Sequence, residues 1–281
     1  ETCALDIIGA KFVREVENGE VVVISADGIK SYKPFPKKPE RPCIFEYIYF
    51  ARPDSIVGGK SIYECRKGFG RELANESNVE ADMVIPIPDS GVPSAIGYAE
   101  QAGIPFELGI TRNHYVGRTF IQPKQSIRSF GVRLKHNANR TLVTGKRIVL
   151  IDDSIVRGTT SVKIVQMMRE AGAKEIHFRV SSPPITHSDF YGIDTPSKDQ
   201  LLASTKSVDE MCEYLGADSL AFLSIEGIYQ ALGHKDGRNA DCPQYTDHCF
   251  TGDYPTLLED ESGGELNSQL SFLSMAEPHE H

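Results

Sequence analysis

The chain has no apolar run approaching the ~20 residues that a membrane-spanning helix needs, and no secretory leader opens it. It also lacks a positive charge balance. Against 39 Asp and Glu it carries 30 Lys and Arg, a net charge of −9 at pH 7. A general nucleic-acid binder needs a basic face to neutralise phosphates, so this balance argues against one, although not against a local basic pocket for a small phosphorylated substrate. Cysteine is sparse: Cys3, Cys43, Cys65, Cys212, Cys242 and Cys249 are scattered through 281 residues. Without a secretory context they argue against a disulfide framework and for reduced thiols or metal ligands, in a cytoplasmic protein. No internal repeat is evident. No Met opens the chain, which starts at Glu1 inside a patterned segment, so a fragment or processed product is expected. What is present is ordinary: 40% hydrophobic and 25% charged residues, suited to one large domain or one domain with appendages.

Glu20-Val21-Val22-Val23-Ile24 is a short β-like run ahead of Asp27-Gly28, and residues 1–30 read as the end of a β-rich unit. Between Tyr32 and Pro42 stand four prolines. Neither a helix interior nor a central strand tolerates that, so the stretch is a linker with a domain boundary near residue 30. Beyond it strands and helices alternate. Residues 83–87 predict a buried strand running into the turn Pro88-Asp89-Ser90-Gly91, followed by a helix over 94–101. Residues 147–151 predict a second strand, 161–171 a helix with Val162, Val165 and Met168 on one face, and 175–180 a third strand. A helix over 207–215 is opened by Ser207 with Glu210 three residues on, a capping box, and 220–223 forms a short strand. Such alternation predicts an α/β fold with a parallel sheet covered by helices on both faces. From about Gly233 the chain is polar and turn-rich, and residues 259–281 are expected to be mobile.

Ligands of open α/β sheets bind beyond the carboxyl ends of strands, and the strand over 147–151 ends on Asp152 and Asp153. Two adjacent carboxylates without a basic neighbour repel each other unless they face polyols or a divalent cation. Arg157-Gly158-Thr159-Thr160-Ser161 then leads into a helix, whose first N–H groups and dipole favour an anion. Acids for a sugar diol and a cradle for a phosphate, a few residues apart, fit a ribose phosphate. A plain strand-to-helix turn is the bland alternative. A receiver domain would need a further Asp and then a Lys at later strand ends, and a mononucleotide P-loop would need Lys after Gly158; neither is present. Asp89-Ser90-Gly91 is either an anion nest or an ordinary turn. Arg112, Arg118, Lys124, Arg128, Arg133, Lys135 and Arg140 form either a solvated face or a field that focuses an anionic substrate.

The string Val149-Leu150-Ile151-Asp152-Asp153-Ser154-Ile155-Val156-Arg157-Gly158-Thr159-Thr160-Ser161 resembles the signature of type I phosphoribosyltransferases. Further segments resemble, within that group, the glutamine-dependent amidophosphoribosyltransferase family that opens purine synthesis. These are Cys43-Ile44-Phe45-Glu46-Tyr47 through Ala51-Arg52-Pro53-Asp54-Ser55, residues 85–93, Asn113-His114-Tyr115-Val116-Gly117-Arg118, residues 135–140, and Phe190-Tyr191-Gly192-Ile193-Asp194. The resemblance runs to about residue 257, and Glu1-Thr2-Cys3-Ala4-Leu5-Asp6 looks like the last part of that family's glutaminase domain. It implies a type I phosphoribosyltransferase fold with a β-rich glutaminase remnant over 1–30, a linker over 31–42, the phosphoribosyltransferase domain over 43–235 and an extension over 236–281.

By that resemblance Asp152 and Asp153 are the catalytic acids on the ribose hydroxyls, and Ser154, Arg157, Gly158, Thr159 and Thr160 hold the 5-phosphate. Asp89, Ser90 and Gly91 hold pyrophosphate, and Ser90 with Asp152 and Asp153 touches Mg2+. Residues 112–130 form a lid, with Arg112, Tyr115, Arg118 and Lys135 meeting the substrate; family members often carry Lys where Arg112 stands, and the two cations are not interchangeable. The implied reaction is attack of ammonia on ribose C1 of phosphoribosyl pyrophosphate as Mg-pyrophosphate leaves, giving 5-phosphoribosylamine. Ammonia comes from glutamine in the intact enzyme, through an amino-terminal Cys. Here Glu1 stands first and Cys3 is not terminal, so this chain is expected to use free ammonia and not glutamine. Purine nucleotide inhibitors and a homo-oligomer are also implied. A regulatory or binding module, or a base-salvage phosphoribosyltransferase, would share the fold; the intact acids and glycine loop, and the match at 43–55, favour the amidotransferase. Some family members carry a 4Fe-4S cluster on four cysteines. Cys43 and Cys249 stand at two of those places, Asp189 and Thr246 at the others, with Cys242 and His248 nearby. The thiols are then either ordinary, or Cys43, Asp189, Cys242 and Cys249 hold a cluster.

Overall fold

The computed structural model describes residues 1–113, 136–256 and 258. A short helix, α1 (Thr2–Ile7), precedes an antiparallel hairpin of β1 (Val21–Ser25) and β2 (Gly28–Tyr32). Residues 33–42, where the prolines cluster, form no helix or strand. A π-helical turn over Glu46–Phe50 and a small ribbon of β3 (Ile56–Val57) and β4 (Lys60–Ser61) lead into α2 (Ile62–Ser77), whose N-cap Ser61 accepts from Glu64 N–H. Next come β5 (Met83–Pro86), α3 (Val92–Ala102), the antiparallel pair β6 (Ile110–Arg112) and β7 (His136–Ala138), and α4 (Arg140–Val143). Then follow β8 (Arg147–Asp152), α5 (Thr159–Glu170), β9 (Glu175–Val180), α6 (Leu202–Thr205), α7 (Val208–Leu215), β10 (Ser219–Phe222), α8 (Ile225–Ala231) and α9 (His248–Thr251).

Four strands make one parallel sheet in the order β10-β9-β8-β5. Successive residues of a strand face opposite sides. Val84, Val149 and Ile151 therefore enter one core, with Phe69 and Leu73 of α2, Ala95 and Tyr98 of α3, and Ile228 of α8. Met83, Ile85, Ile148, Leu150, Ile176 and Phe178 enter the other, with Ile164, Val165 and Met168 of α5 and Met211 and Leu215 of α7. The doubly covered parallel sheet expected from the alternation of elements is what forms. The capping box at Ser207 and Glu210 is present with both hydrogen bonds. One boundary moves: α5 begins at Thr159, two residues earlier than expected, because Gly158 at φ +72° turns the chain into the helix. The expectations for the lid and for residues 259–281 fall mostly or wholly outside the described residues.

α2 was not anticipated, and its contact with α3 explains why. The two helices meet backbone to backbone. A Cβ added at Gly70 would lie 1.9 Å from the Ser94 carbonyl oxygen, and one at Gly97 would lie 2.0 Å from that of Lys67. Neither neighbour is a side chain that could turn away. Gly70→Ala is therefore expected to destabilise the fold by about 3 kcal/mol or more. Gly68→Ala, whose new methyl would meet the Ala231 Cβ at 3.3 Å, should change stability by less than about 1 kcal/mol. Urea unfolding of both variants beside wild type checks the contrast.

Candidate active site at the ends of two parallel strands

Adjacent parallel strands β5 and β8 pair Pro86 with Ile151, and the next residue, Ile87, donates its N–H to the Ile151 carbonyl at 2.8 Å. The turn 88–91 and the pair Asp152 and Asp153 thus leave the sheet side by side. Gly91 closes the turn by donating to Ile87 O at 3.1 Å. A Cβ at Gly91 would lie 2.4 Å from Ile151 O and 2.9 Å from Ile87 O. Only glycine allows the turn to sit this close to the strand that carries the acids.

Both acids are buried. Asp152 Oδ1 accepts from Asp153 N at 3.0 Å, its carbonyl accepts from Ser181 N at 2.9 Å, and Asp153 Oδ2 accepts from the Ser154 hydroxyl at 2.6 Å. Burial, reinforced by the neighbouring charge of Asp153, pushes the Asp152 carboxyl well above the usual carboxylate range. A basic residue does stand behind the pair. Arg66 of α2 is buried, with Nε on Tyr47 O at 3.0 Å and Nη2 on Ala51 O at 2.6 Å. Burial lowers its pKa, and Asp153 offsets part of that effect. Sequence reasoning missed Arg66. The available signal was a cation on the apolar stripe of Ile62, Phe69 and Leu73.

The loop after Asp153 is pinned by buried Ile155 and by Leu202 N–H donating to Val156 O at 2.9 Å. Gly158 caps the 12-residue α5 with no side chain bonded to the first turn. The leading N–H groups of Thr159, Thr160 and Ser161 are thereby left for an anion. Arg157 bends sideways, its Nε and Nη2 donating to Gln200 Oε1 at 3.2 and 3.1 Å. Arg112, at the end of β6, forms an ion pair with Asp89 of the turn. Arg140 is not a pocket residue, since Nη1 donates to Glu170 O at the end of α5 at 2.9 Å. Tyr115, Arg118 and Lys135, with Lys124, Arg128 and Arg133, lie outside the described residues.

The donor chemistry fits Mg2+. Hard divalent cations take oxygen ligands, often one or two carboxylates completed by substrate oxygens. Asp152 and Asp153 supply buried carboxylates, and the Ser90 hydroxyl belongs to the adjoining turn. A cation or sugar hydroxyls would also relieve the electrostatic penalty that raises the Asp152 pKa.

The phosphoribosyl transferase domain family matches residues 61–183, the span from α2 through both strand ends. An amidophosphoribosyltransferase of Rhizobium etli is 62% identical over 280 residues, covering 98% of this chain and 56% of that protein. One from Bacillus subtilis is 53% identical over 258 residues, covering 92% and 54%. The solved glutamine phosphoribosylpyrophosphate amidotransferase of B. subtilis, complexed with ADP and GMP, superposes with a TM-score of 0.83 at 52% identity, over 92% of this chain and 56% of that one. The chain belongs to the amidophosphoribosyltransferase family. It spans about half the length of the family members it matches.

Of the two readings left open for the thiols, the cluster does not fit these residues. Asp189 Oδ1 accepts from Tyr191 N at 2.8 Å and Ile193 N at 2.9 Å, and Oδ2 lies 2.8 Å from His248 Nε2. Cys242 is exposed, in a turn where its N–H donates to Asn239 Oδ1. Cys43 and Cys249 do lie near Asp189, and burial, with these neighbours adding, pushes the Cys249 thiol well up. The set Cys43, Asp189, Cys242 and Cys249 is not assembled: its carboxylate is already committed and one thiol faces solvent. Among the described residues no group of three or more His, Cys, Asp or Glu is placed to hold a metal ion, and all six cysteines are free.

Proposed function

We propose that the chain transfers the 5-phosphoribosyl group of phosphoribosyl pyrophosphate to ammonia, forming 5-phosphoribosylamine and pyrophosphate at the entry to purine synthesis. One juxtaposition supports this above all: buried Asp152 and Asp153, an uncapped helix N-terminus at Gly158 and the tight turn at Gly91 meet at the ends of β5 and β8. Each piece suits one part of the substrate. The N–H groups opening α5, with the Thr159 and Thr160 hydroxyls and Ser154, bind the 5-phosphate. Asp152 and Asp153 accept from the ribose hydroxyls and hold the ring for attack at C1. Asp89, Ser90 and Gly91 receive the pyrophosphate, and Arg112, paired with Asp89 in this structure, exchanges that carboxylate for the leaving group.

As ammonia bonds to C1, the C1–O bond breaks and the electron pair leaves with pyrophosphate. The nitrogen then sheds a proton to solvent. The two acids stabilise the cationic character that develops on the sugar, and no protein nucleophile is required. Mg2+, held by Asp152, Asp153 and Ser90, would neutralise charge on the departing pyrophosphate. Tyr115 and Arg118, within the lid proposed over 112–130, and Lys135, proposed to meet the pyrophosphate, belong to the same reading. The B. subtilis relative complexed with ADP and GMP supports purine nucleotides as ligands of this chain as well.

Pyrophosphate release from phosphoribosyl pyrophosphate and Mg2+ tests this, with ammonia, glutamine and free purine bases supplied in turn. Ammonia-dependent release is the expected result. Release with a base and none with ammonia would instead identify a base-salvage enzyme, and binding without turnover a regulatory module.

A further inference from the structure

Two segments far apart in sequence are fastened to each other beside the α2 core. Thr186 N–H and His187 N–H both donate to Cys249 O, at 2.9 and 3.1 Å, and Thr186 Oγ1 donates to Phe250 O at 3.1 Å. The Tyr254 hydroxyl donates to Ser188 O at 2.9 Å. At the centre stand Asp189 and His248, whose side chains are each 2% exposed. Asp189 holds its own loop closed through the Tyr191 and Ile193 N–H groups, while its other oxygen meets His248. The His248 ring stacks on Tyr254 at 4.9 Å and meets Tyr191 edge-on at 5.2 Å. Thr246, the remaining family cluster position, is committed as well: its hydroxyl donates to Arg41 O at 2.7 Å and its backbone pairs with Cys43.

We infer that Asp189 and His248 form a metal-independent lock that fastens α9 and the chain after it to the 186–195 loop with protein groups alone. Both carboxylate oxygens of Asp189 are met within this chain: Oδ1 by two N–H donors, and Oδ2 by His248 Nε2 at 2.8 Å in a charge contact without hydrogen-bond geometry. Carboxylate and imidazole are both out of water, so either loss is more damaging than that of an exposed pair: without Asp189 the imidazole loses the carboxylate it faces, and without His248 the carboxylate keeps only the two N–H donors on Oδ1. Asp189 also carries two backbone N–H groups that have no other acceptor in the loop, so the lock organises the loop as well as joining it.

The test uses the intact chain. Purified protein should contain no stoichiometric iron or acid-labile sulfide, and its thermal midpoint should be unchanged by incubation with an iron chelator. His248→Gln should lower the midpoint by about 10 °C. Asp189→Asn, which keeps an oxygen for the two N–H groups, should lower it less than Asp189→Ala. The double variant Asp189→Asn/His248→Gln should melt no lower than the worse single variant, the mark of two residues acting on each other. Limited proteolysis should open first within 240–256 in each variant. Bound iron with sulfide, or a midpoint that falls on chelation, overturns the inference, and so does simple additivity of the two single effects. None of these measurements depends on catalytic turnover.

Discussion

Asp152→Asn is expected to melt about 2–6 °C above the wild-type chain while losing at least ~100-fold in phosphoribosyl transfer. Both effects have one origin. Asp152 is buried against Asp153, and its folded pKa is raised, chiefly by loss of water and secondly by that neighbour. In the unfolded chain an aspartate titrates near ~3.9. Below that pH the group is neutral in both states and carries no penalty. As the pH rises from the unfolded value through the folded one, the unfolded chain releases its proton first and folding loses stability. Asn removes this dependence. The difference in midpoint between variant and wild type should therefore be near zero around pH 4 and widen towards neutrality. Thermal melts across that range in metal-free buffer measure it directly. A gap that narrows with rising pH would show that Asp152 is not held against its charge. Mg2+ with phosphoribosyl pyrophosphate should shrink the gap at neutral pH, because those ligands are proposed to stabilise the ionised acid of wild type only.

Gly91→Ala is the second change with a large expected effect, and it acts through backbone alone. The new methyl would fall 2.4 Å from Ile151 O and 2.9 Å from Ile87 O. Ile151 immediately precedes the acidic pair, so relief of the clash must move either the turn or Asp152. Transfer rates should drop by ~100-fold or more, since displacements near 1 Å of reacting groups have that consequence. Stability should fall by about 1–3 kcal/mol. Isothermal titration of the variant with pyrophosphate separates the two possibilities: lost affinity locates the shift in the turn, whereas retained affinity with lost turnover locates it at the acids.

The parts of this molecule that were legible in advance are those written in local sequence. The strands over 83–87 and 148–151 are apolar runs between polar turns, the strand over 175–180 alternates polar and apolar residues, and the helix at Ser207 carries its own capping box. The acids and glycine of the phosphate loop were readable for the same reason, each lying within a dozen residues of the others. α2 was not, because its buried face includes Arg66 and Gly70, neither of which registers as apolar. Arg66 itself comes within electrostatic range of Asp153 only once α2 lies on the sheet. The order β10-β9-β8-β5 is a matter of long-range pairing, which no local pattern encodes. Residue types at matching places left a cluster open as one of two readings of the thiols. What decided against that ligand set was the partner of Asp189, His248, a contact between residues 59 positions apart visible only in three dimensions.

The crossing of α2 and α3 has a further consequence for anyone altering this protein. Most helix pairs meet through side chains, and a change on one side is absorbed by a change on the other. Here the surfaces in contact are peptide groups at Gly70 and Gly97, which no choice of side chain can reshape. The joint behaves as a weld. Ser94, on the α3 side, also donates its hydroxyl to the Arg66 carbonyl at 3.1 Å. The buried cation on one helix and the start of the other are thus tied through one close-packed joint, and any redesign of the pocket has to treat them together.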